Sequence, residues 1–157
     1  MDTLTAVSAR PHTRLRITTE HPTQFIDLTD QVEDFVTGTG IQFGVVSIQS
    51  LHTTASIIVN EHEPLLLSDF TSLLARAVPR AFLYRHDDFD TRTVNMTPDE
   101  RANGHAHCRA LLLGASASLH IADGRVERGL WQRIFLVELD GPRTREISLL
   151  VVGDRCQ

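Results

Sequence analysis

GVVSIQSLHTTASIIVN, residues 44–60, is the stretch that decides the fold. It is rich in Val, Ile and Thr, whose branched side chains suit a pleated surface and stiffen in a helix. Strands run to about five or six residues, so this length reads as two strand pieces, or as one strand bulged near His52–Thr54. Towards the N-terminus, residues 12–19 alternate, Leu15 and Ile17 facing one way and Arg14 and Arg16 the other, as in a half-buried strand. Phe25, Ile26 and Leu28 continue into a second strand. Residues 27–37 read as a helix with Leu28, Val32, Phe35 and Val36 on one face, stopped by Gly38 and Gly40. Towards the C-terminus, residues 64–78 carry the clearest helical stripe, Leu66, Phe70, Leu73, Leu74 and Ala77, opened by Pro64 and closed by Pro79.

Residues 85–104 are polar and without period, and form the longest loop; loops of that length in compact domains tend to be functional. From Ala115 the pattern is extended. Leu119 and Ile121 precede a turn at Asp123–Gly124, residues 131–139 form the next run, and Asp140–Gly141–Pro142 turn into Ile147 to Val152. Asp-Gly between extended runs signals a hairpin. The expectation is an α+β fold, a mainly antiparallel β-sheet with two or three helices, in a single domain over 1–157 whose residues 1–11 are a flexible segment.

The 157 residues carry 15 basic and 20 acidic side chains, for a net charge of −5, and every basic residue is an arginine. A chain without lysine makes no Schiff base and has no P-loop lysine. Compositional bias of a GC-rich genome explains the count better than selection does. The acidic balance without a basic run argues against nucleic acid and anionic membranes as partners. No run approaches the roughly 18 apolar residues of a membrane span, and the N-terminal residues show no signal-peptide pattern. Two cysteines, Cys108 and Cys156, do not make a disulfide framework and read as reduced thiols of a cytoplasmic protein.

Histidine is the informative residue, as a metal-binding or catalytic group or as an ordinary packed hydrogen-bonder. His52 follows an apolar strand and precedes Thr53 and Thr54; His86 opens the acidic loop in YRHDDFD; His105 and His107 form an H-x-H pair. On a strand both members of that pair face one way, a spacing common in metal sites. On a helix they diverge by about 200° and one alone reaches a site; the sequence leaves both open. Asp87, Asp88 and Asp90 are candidates for Mg²⁺, with a solvated loop as the alternative. Asn60–Glu61 sits at a sheet edge or a pocket mouth. Asp69 orients a histidine or pairs with Arg76. Trp131 belongs to the core or a subunit interface, and Gln132 lines a pocket. A phosphatase motif fails because the sixth residue after Cys108 is Gly114 and not arginine, a nucleophile elbow because residues 114–118 lack its final glycine, and a dinucleotide-binding motif because Gly38-Thr-Gly40 follows a helix and not a strand.

Taken together, HTTASIIVNE, YRHDD, NGHAHCRALLLGAS and GRVERGLWQRIFLVELDGPRTREI resemble the YjbQ family, whose members carry the label secondary thiamine-phosphate synthase. The likeness runs from about Thr13 to Gly153. The family's H-T-[TS]-A-S falls on His52, Thr53, Thr54, Ala55 and Ser56, its N-E on Asn60–Glu61, and its helix aspartate on Asp69. Tyr84, His86 and Asp88 match Y-x-H-x-[DE], and Ala106–His107 the A-H before L-L-G. Gly129 to Gln132 match G-x-W-Q, with Leu130 where a small polar residue also occurs, and Arg143 and Arg145 match R-x-R.

The resemblance implies an α+β homotrimer. The activity it implies joins a pyrimidine pyrophosphate to a thiazole phosphate. His52, His86 and His107 would build the site as catalytic groups or as ligands to a divalent metal, Zn²⁺ or Mg²⁺, with His105 and Asp88 as alternative ligands. Asn60, Glu61 and Asp69 would complete it, and Thr53, Thr54, Trp131, Gln132, Arg143 and Arg145 would bind the substrate. Two rivals are a noncatalytic trimeric ligand-binding or structural protein and a metal-dependent phosphoester hydrolase.

Overall fold

A computed structural model describes residues 11–155, so the expected flexible segment falls, but for Pro11, outside the described residues. Strands β1 (His12–Thr18), β8 (Thr144–Asp154), β3 (Phe43–Ser50), β5 (Ser116–Ala122) and β6 (Arg125–Val126) lie side by side in that order as sheet A. Strands β2 (Gln24–Asp27), β7 (Gln132–Glu138) and β4 (Ala55–Glu61) form sheet B, and every pairing is antiparallel.

The period of two sets the layers. Val46 and Ile48 of β3, Ile147, Leu149 and Val151 of β8, Ile57 of β4, and Ile134 and Leu136 of β7 all point between the sheets into one core. The opposite residues of β7, Phe135 and Val137, pack with Leu139 under Leu74 of α2 (Pro64–Ala77) and Ala106 of α3 (Gly104–Leu113). Sheet B is thus a middle layer, and residues 134–140 are buried without interruption. Helix α1 (Thr29–Thr39) contributes Leu28, Val32 and Val36 to the inter-sheet core.

The α+β class and the antiparallel sheets are as expected, with three helices among the described residues. Two details differ. Helix α1 starts at Thr29 because the Asp27 carboxylate accepts the Thr29 N–H at 2.9 Å, and it runs through Gly38 to end on Gly40, whose φ of 70° is left-handed. Of the two Asp-Gly turns, Asp123–Gly124 closes a true hairpin, with φ of 51° and 76°, whereas residues 140–142 carry the chain from sheet B to sheet A. Residues 51–54 make the reverse crossing, so the long extended stretch is two strands in different sheets.

Candidate active site

The crossings at residues 51–54 and 140–142 lie against each other, and the candidate site is built on that corner. Both the N–H of Leu51 and the ring of His52 are tied to Glu146 of β8: Leu51 N–H donates to its carbonyl at 3.1 Å, and Glu146 N–H donates to His52 Nε2 at 2.8 Å. The second bond fixes the proton of His52 on Nδ1. Burial pushes this imidazole below its ordinary value, and the Arg145 guanidinium pushes it the same way, so it stands neutral with Nδ1–H as a donor.

Beneath the corner, Arg145 is fully buried and grips Glu138. Its Nε donates to Glu138 Oε2 at 2.7 Å, while Nη2 donates to Glu138 Oε1 and to both the carbonyl and hydroxyl oxygens of Thr54. Glu138 Oε1 also accepts the backbone N–H groups of Leu139, Asp140 and Gly141, and Oε2 accepts the Thr19 hydroxyl. Burial alone would raise this carboxyl; the Arg145 and backbone hydrogen bonds prevail and hold it below the usual range.

The opposite wall comes from the polar loop and α3. A 3₁₀ turn at Arg85–Asp87 presents His86, and Asp87 Oδ1 accepts the N–H groups of Asn103 and Gly104 at 2.9 and 2.8 Å, capping α3 across the loop. A Cβ on Gly104 would meet Tyr84 Cβ at 2.5 Å, which explains the glycine there. Arg92 organises the loop by donating to the carbonyls of His86, Val94 and Asn95 and to Glu100. The rings of His86 and His107 then stand 4.5 Å apart, edge to face. Burial, followed by the neighbouring His86, pushes His107 below its ordinary value.

Between these walls is an open cleft of about 930 Å³, lined by His52, Arg85, His86, Arg92, His107 and Arg143 among others. Its one lining carboxylate, Glu100, is already paired with Arg92 at 3.1 Å. Arg143 pairs through Nη2 with Asp140 at 2.6 Å, but its Nε, like His86 Nε2 and Asn103 Oδ1, is buried without a partner. Buried polar groups without partners are rare and costly, and they mark places where a bound oxygen or N–H would be accommodated.

The structure sorts the expected site residues into two groups. His52, His86, His107, Thr53, Thr54, Arg143 and Arg145 gather in the cleft. Asn60, Glu61, Trp131 and Gln132 lie instead at the far end of the β4–β7 pair, around two shallow pockets with His62, Leu130 and Arg133. Asp69 is exposed on α2, with no hydrogen bond or ion pair to Arg76 or to any histidine among the described residues. The H-x-H pair is helical, so His105 turns away from the cleft into the interior beside Tyr84, where burial and then Arg109 and Arg80 push it below its ordinary value.

Within one chain the three histidines are not grouped as ligands to a single ion. Among the described residues no three His, Cys, Asp or Glu side chains stand close enough to hold one ion. His52 spends Nε2 on Glu146, and His105 faces elsewhere. Asp88 lines a different pocket, with Tyr84 and Asp87. The acidic loop gathers no Mg²⁺ site either: Asp87 caps α3, Asp88 accepts the Thr91 N–H, and Asp90 is exposed. Cys108 is free and exposed, while Cys156 lies outside the described residues.

Sequence reading missed Glu138, Arg92, Glu100 and Asn103. Glu138 had a signal: one carboxylate inside the apolar run IFLVEL requires a buried partner. The Arg92–Glu100 pair spans an aperiodic loop and left none.

Two antiparallel sheets under a helical layer, with a histidine–arginine cleft at the sheet crossings, define a small α+β class. The chain belongs to the YjbQ family: the family model described as UPF0047 protein YjbQ-like matches residues 13–154. A UPF0047 protein of Methanothermobacter thermautotrophicus is 37% identical, covering 88% of this chain and 90% of its own length. YugU of Bacillus subtilis is 32% identical over 88% of this chain and 97% of itself. A YbjQ-like protein of unknown function from Sulfolobus solfataricus superposes with a TM-score of 0.85 at 34% identity, covering 94% of this chain and 99% of its own. A hypothetical protein from Aeropyrum pernix gives 0.82 at 31% identity, covering 92% and 99%. Among the described residues no helix is long and apolar enough to cross a membrane.

Proposed function

We propose that the cleft is the active site of a cytoplasmic, homotrimeric small-molecule enzyme acting on phosphorylated substrates, with a thiamine-phosphate synthase-type reaction as a secondary activity. The observation that carries this reading is the surplus of donors in the cleft: Arg92, Arg143 and Arg145 are paired with Glu100, Asp140 and Glu138, but Arg85 has no ion pair among the described residues and Arg143 Nε has no hydrogen-bond partner. A pyrophosphate group matches that demand through charge-assisted hydrogen bonds.

In the reaction, the thiazole nitrogen uses its lone pair to attack the methylene carbon of the pyrimidine pyrophosphate. The carbon–oxygen bond breaks, pyrophosphate leaves with the bonding pair, and the positive charge stays on the thiazolium ring. No proton moves in the bond-forming step, so the protein's task is to hold the partners in line and stabilise the leaving anion. Arg143 and Arg85 supply positive charge, and His52 Nδ1–H supplies a donor. His52 and His107, pushed towards the neutral form, line the cleft without repelling the flat cation. Among the described residues of one chain no three side chains gather as ligands to one ion, and the groups named here act without one.

The test is pyrophosphate release from the two precursors by purified protein, with and without added Zn²⁺ or Mg²⁺, in wild type and His107→Ala. Release by the wild type and its loss in His107→Ala, with unchanged circular dichroism and oligomeric state, supports the reading. No release, or equal release by the variant, refutes it. Hydrolysis of simple phosphoesters only with added metal would favour the hydrolase instead.

A further inference from the structure

Asn60, Glu61, Trp131 and Gln132 stand at one end of sheet B, and the histidine cleft stands at the other. In β4, Ala55 follows directly on cleft residue Thr54, and Glu61 ends the strand beside Gln132. The six steps of about 3.4 Å from Ala55 to Glu61 separate the two groups by ~20 Å, so no one cleft of a single chain contains both.

The far end has the character of a surface made to be covered. Trp131, the sole tryptophan, is 67% exposed, and Leu130 beside it is 81% exposed. Such a cluster on a soluble protein marks a contact surface. Its charge is negative: Asp27, Asp30 and Glu61 stand against Arg133, Arg128 is paired with Glu33, and no ion pair to Glu61 is present among the described residues. The mouth of the cleft is its complement in both respects. Arg85 and Arg143 give it positive charge, and its rim exposes Leu51 at 41% and Val94 at 68%.

We infer that the Asn60–Glu61 and Leu130–Gln132 end of one copy of this chain closes the open side of the histidine cleft of a neighbouring copy. The occupant is a second copy because both complementary surfaces are on the same chain. Contact between unlike surfaces repeats from head to tail and closes as a ring when the rotation between copies closes. Glu61 then faces the arginines and histidines of its neighbour, and Trp131 forms an apolar wall over the bound substrate. The role given to Glu61 and Trp131 rests on the cleft being the active site; the juxtaposition itself does not.

Cysteine cross-linking tests the juxtaposition without an activity assay. In a Cys108→Ser/Cys156→Ser background, Thr53→Cys places a thiol on the cleft lip and Leu130→Cys places one at the far end. A short bismaleimide does not span the two within one chain. The double variant is expected to convert mainly to covalent multimers, each single variant to stay monomeric in SDS, and Glu61→Arg to suppress the product several-fold. The inference is overturned if the double variant stays monomeric in SDS, if either single variant cross-links as well as the double, or if Glu61→Arg leaves the yield unchanged. Cross-linking without pyrophosphate release would refute the proposed reaction and leave the juxtaposition standing.

Discussion

Replacing Arg145 by methionine isolates the interaction that ties the two sheet crossings together. Methionine fills much of the same volume, so the cavity contribution is small and the electrostatic loss dominates. Arg145 is 1% exposed and Glu138 0%. Removing one partner of such a pair leaves a charge buried without compensation, at a cost of about 3–5 kcal/mol. Loss of the two bonds to Thr54 adds about 1–2 kcal/mol, partly offset because Glu138 keeps three backbone N–H groups and the Thr19 hydroxyl.

The net expectation is a loss of about 4 kcal/mol, a large share of the roughly 5–15 kcal/mol of an ordinary domain. At fixed protein concentration the urea midpoint should fall by about 2 M, for a slope near 2 kcal/mol/M. Adding Glu138→Gln removes the stranded charge and should recover half or more of the loss. The pH trend should also invert. In the wild type the Glu138 carboxyl is held below its ordinary value, so its contribution is present above that value and lost as pH falls. In Arg145→Met, burial dominates and raises the carboxyl, so stability should grow as pH is lowered from neutrality. A midpoint shift under about 0.5 M, or a double variant no more stable than the single, would refute the reasoning.

Three further outcomes are expected. Burial and the nearby Arg109 and Arg80 push His105 below its ordinary value; the unfolded chain therefore takes up the proton first as pH falls, and stability present above about pH 6.5 is lost below it. His105→Gln should flatten the urea-midpoint profile between about pH 7 and pH 5 by up to about 1.4 kcal/mol per pH unit, and an unchanged slope would count against this. Asp87→Ala removes the cap of α3 and should cost about 1–2 kcal/mol by chemical denaturation, with His86 and His107 losing their contact in NMR spectra. Arg143→Met should weaken inorganic pyrophosphate binding by about tenfold or more in calorimetry, as expected for a lost charge-assisted bond of about 1.5–3 kcal/mol; equal affinity would remove Arg143 from the site.

Local pattern carried the elements because burial in a two-sheet protein follows the period of two. The strand β1, the span of α2 and the Asp123–Gly124 hairpin were all legible one segment at a time, whereas of the stripe read for α2 only Leu74 is buried and Leu73 and Ala77 face outward. What was not legible is which sheet a strand joins. Residues 51–54 and 140–142 look like ordinary turns, and only long-range pairing makes them crossings. The same holds for the site. His52, His86, His107 and Arg143 were identified by type and motif, yet the distance between Asn60–Glu61 and the histidines depends on β4 running away from the corner. The H-x-H ambiguity was resolved by Asp87, which caps α3 from sixteen residues before Asn103 donates to it, a contact no local window contains.

The place of β8 has a consequence for how the chain comes to be folded. It is the most C-terminal strand of the described residues, yet it lies between β1 and β3 and pairs with both. Until it arrives, β1 has no partner and β3 presents a bare edge towards the gap, the condition under which strands recruit other chains. Arg143 and Arg145 arrive with the same segment. A nascent or truncated chain lacking it therefore has neither a complete sheet A nor the cleft's Arg143 and Arg145, and on the proposed reading retention on an immobilised pyrophosphate would sort finished molecules from unfinished ones.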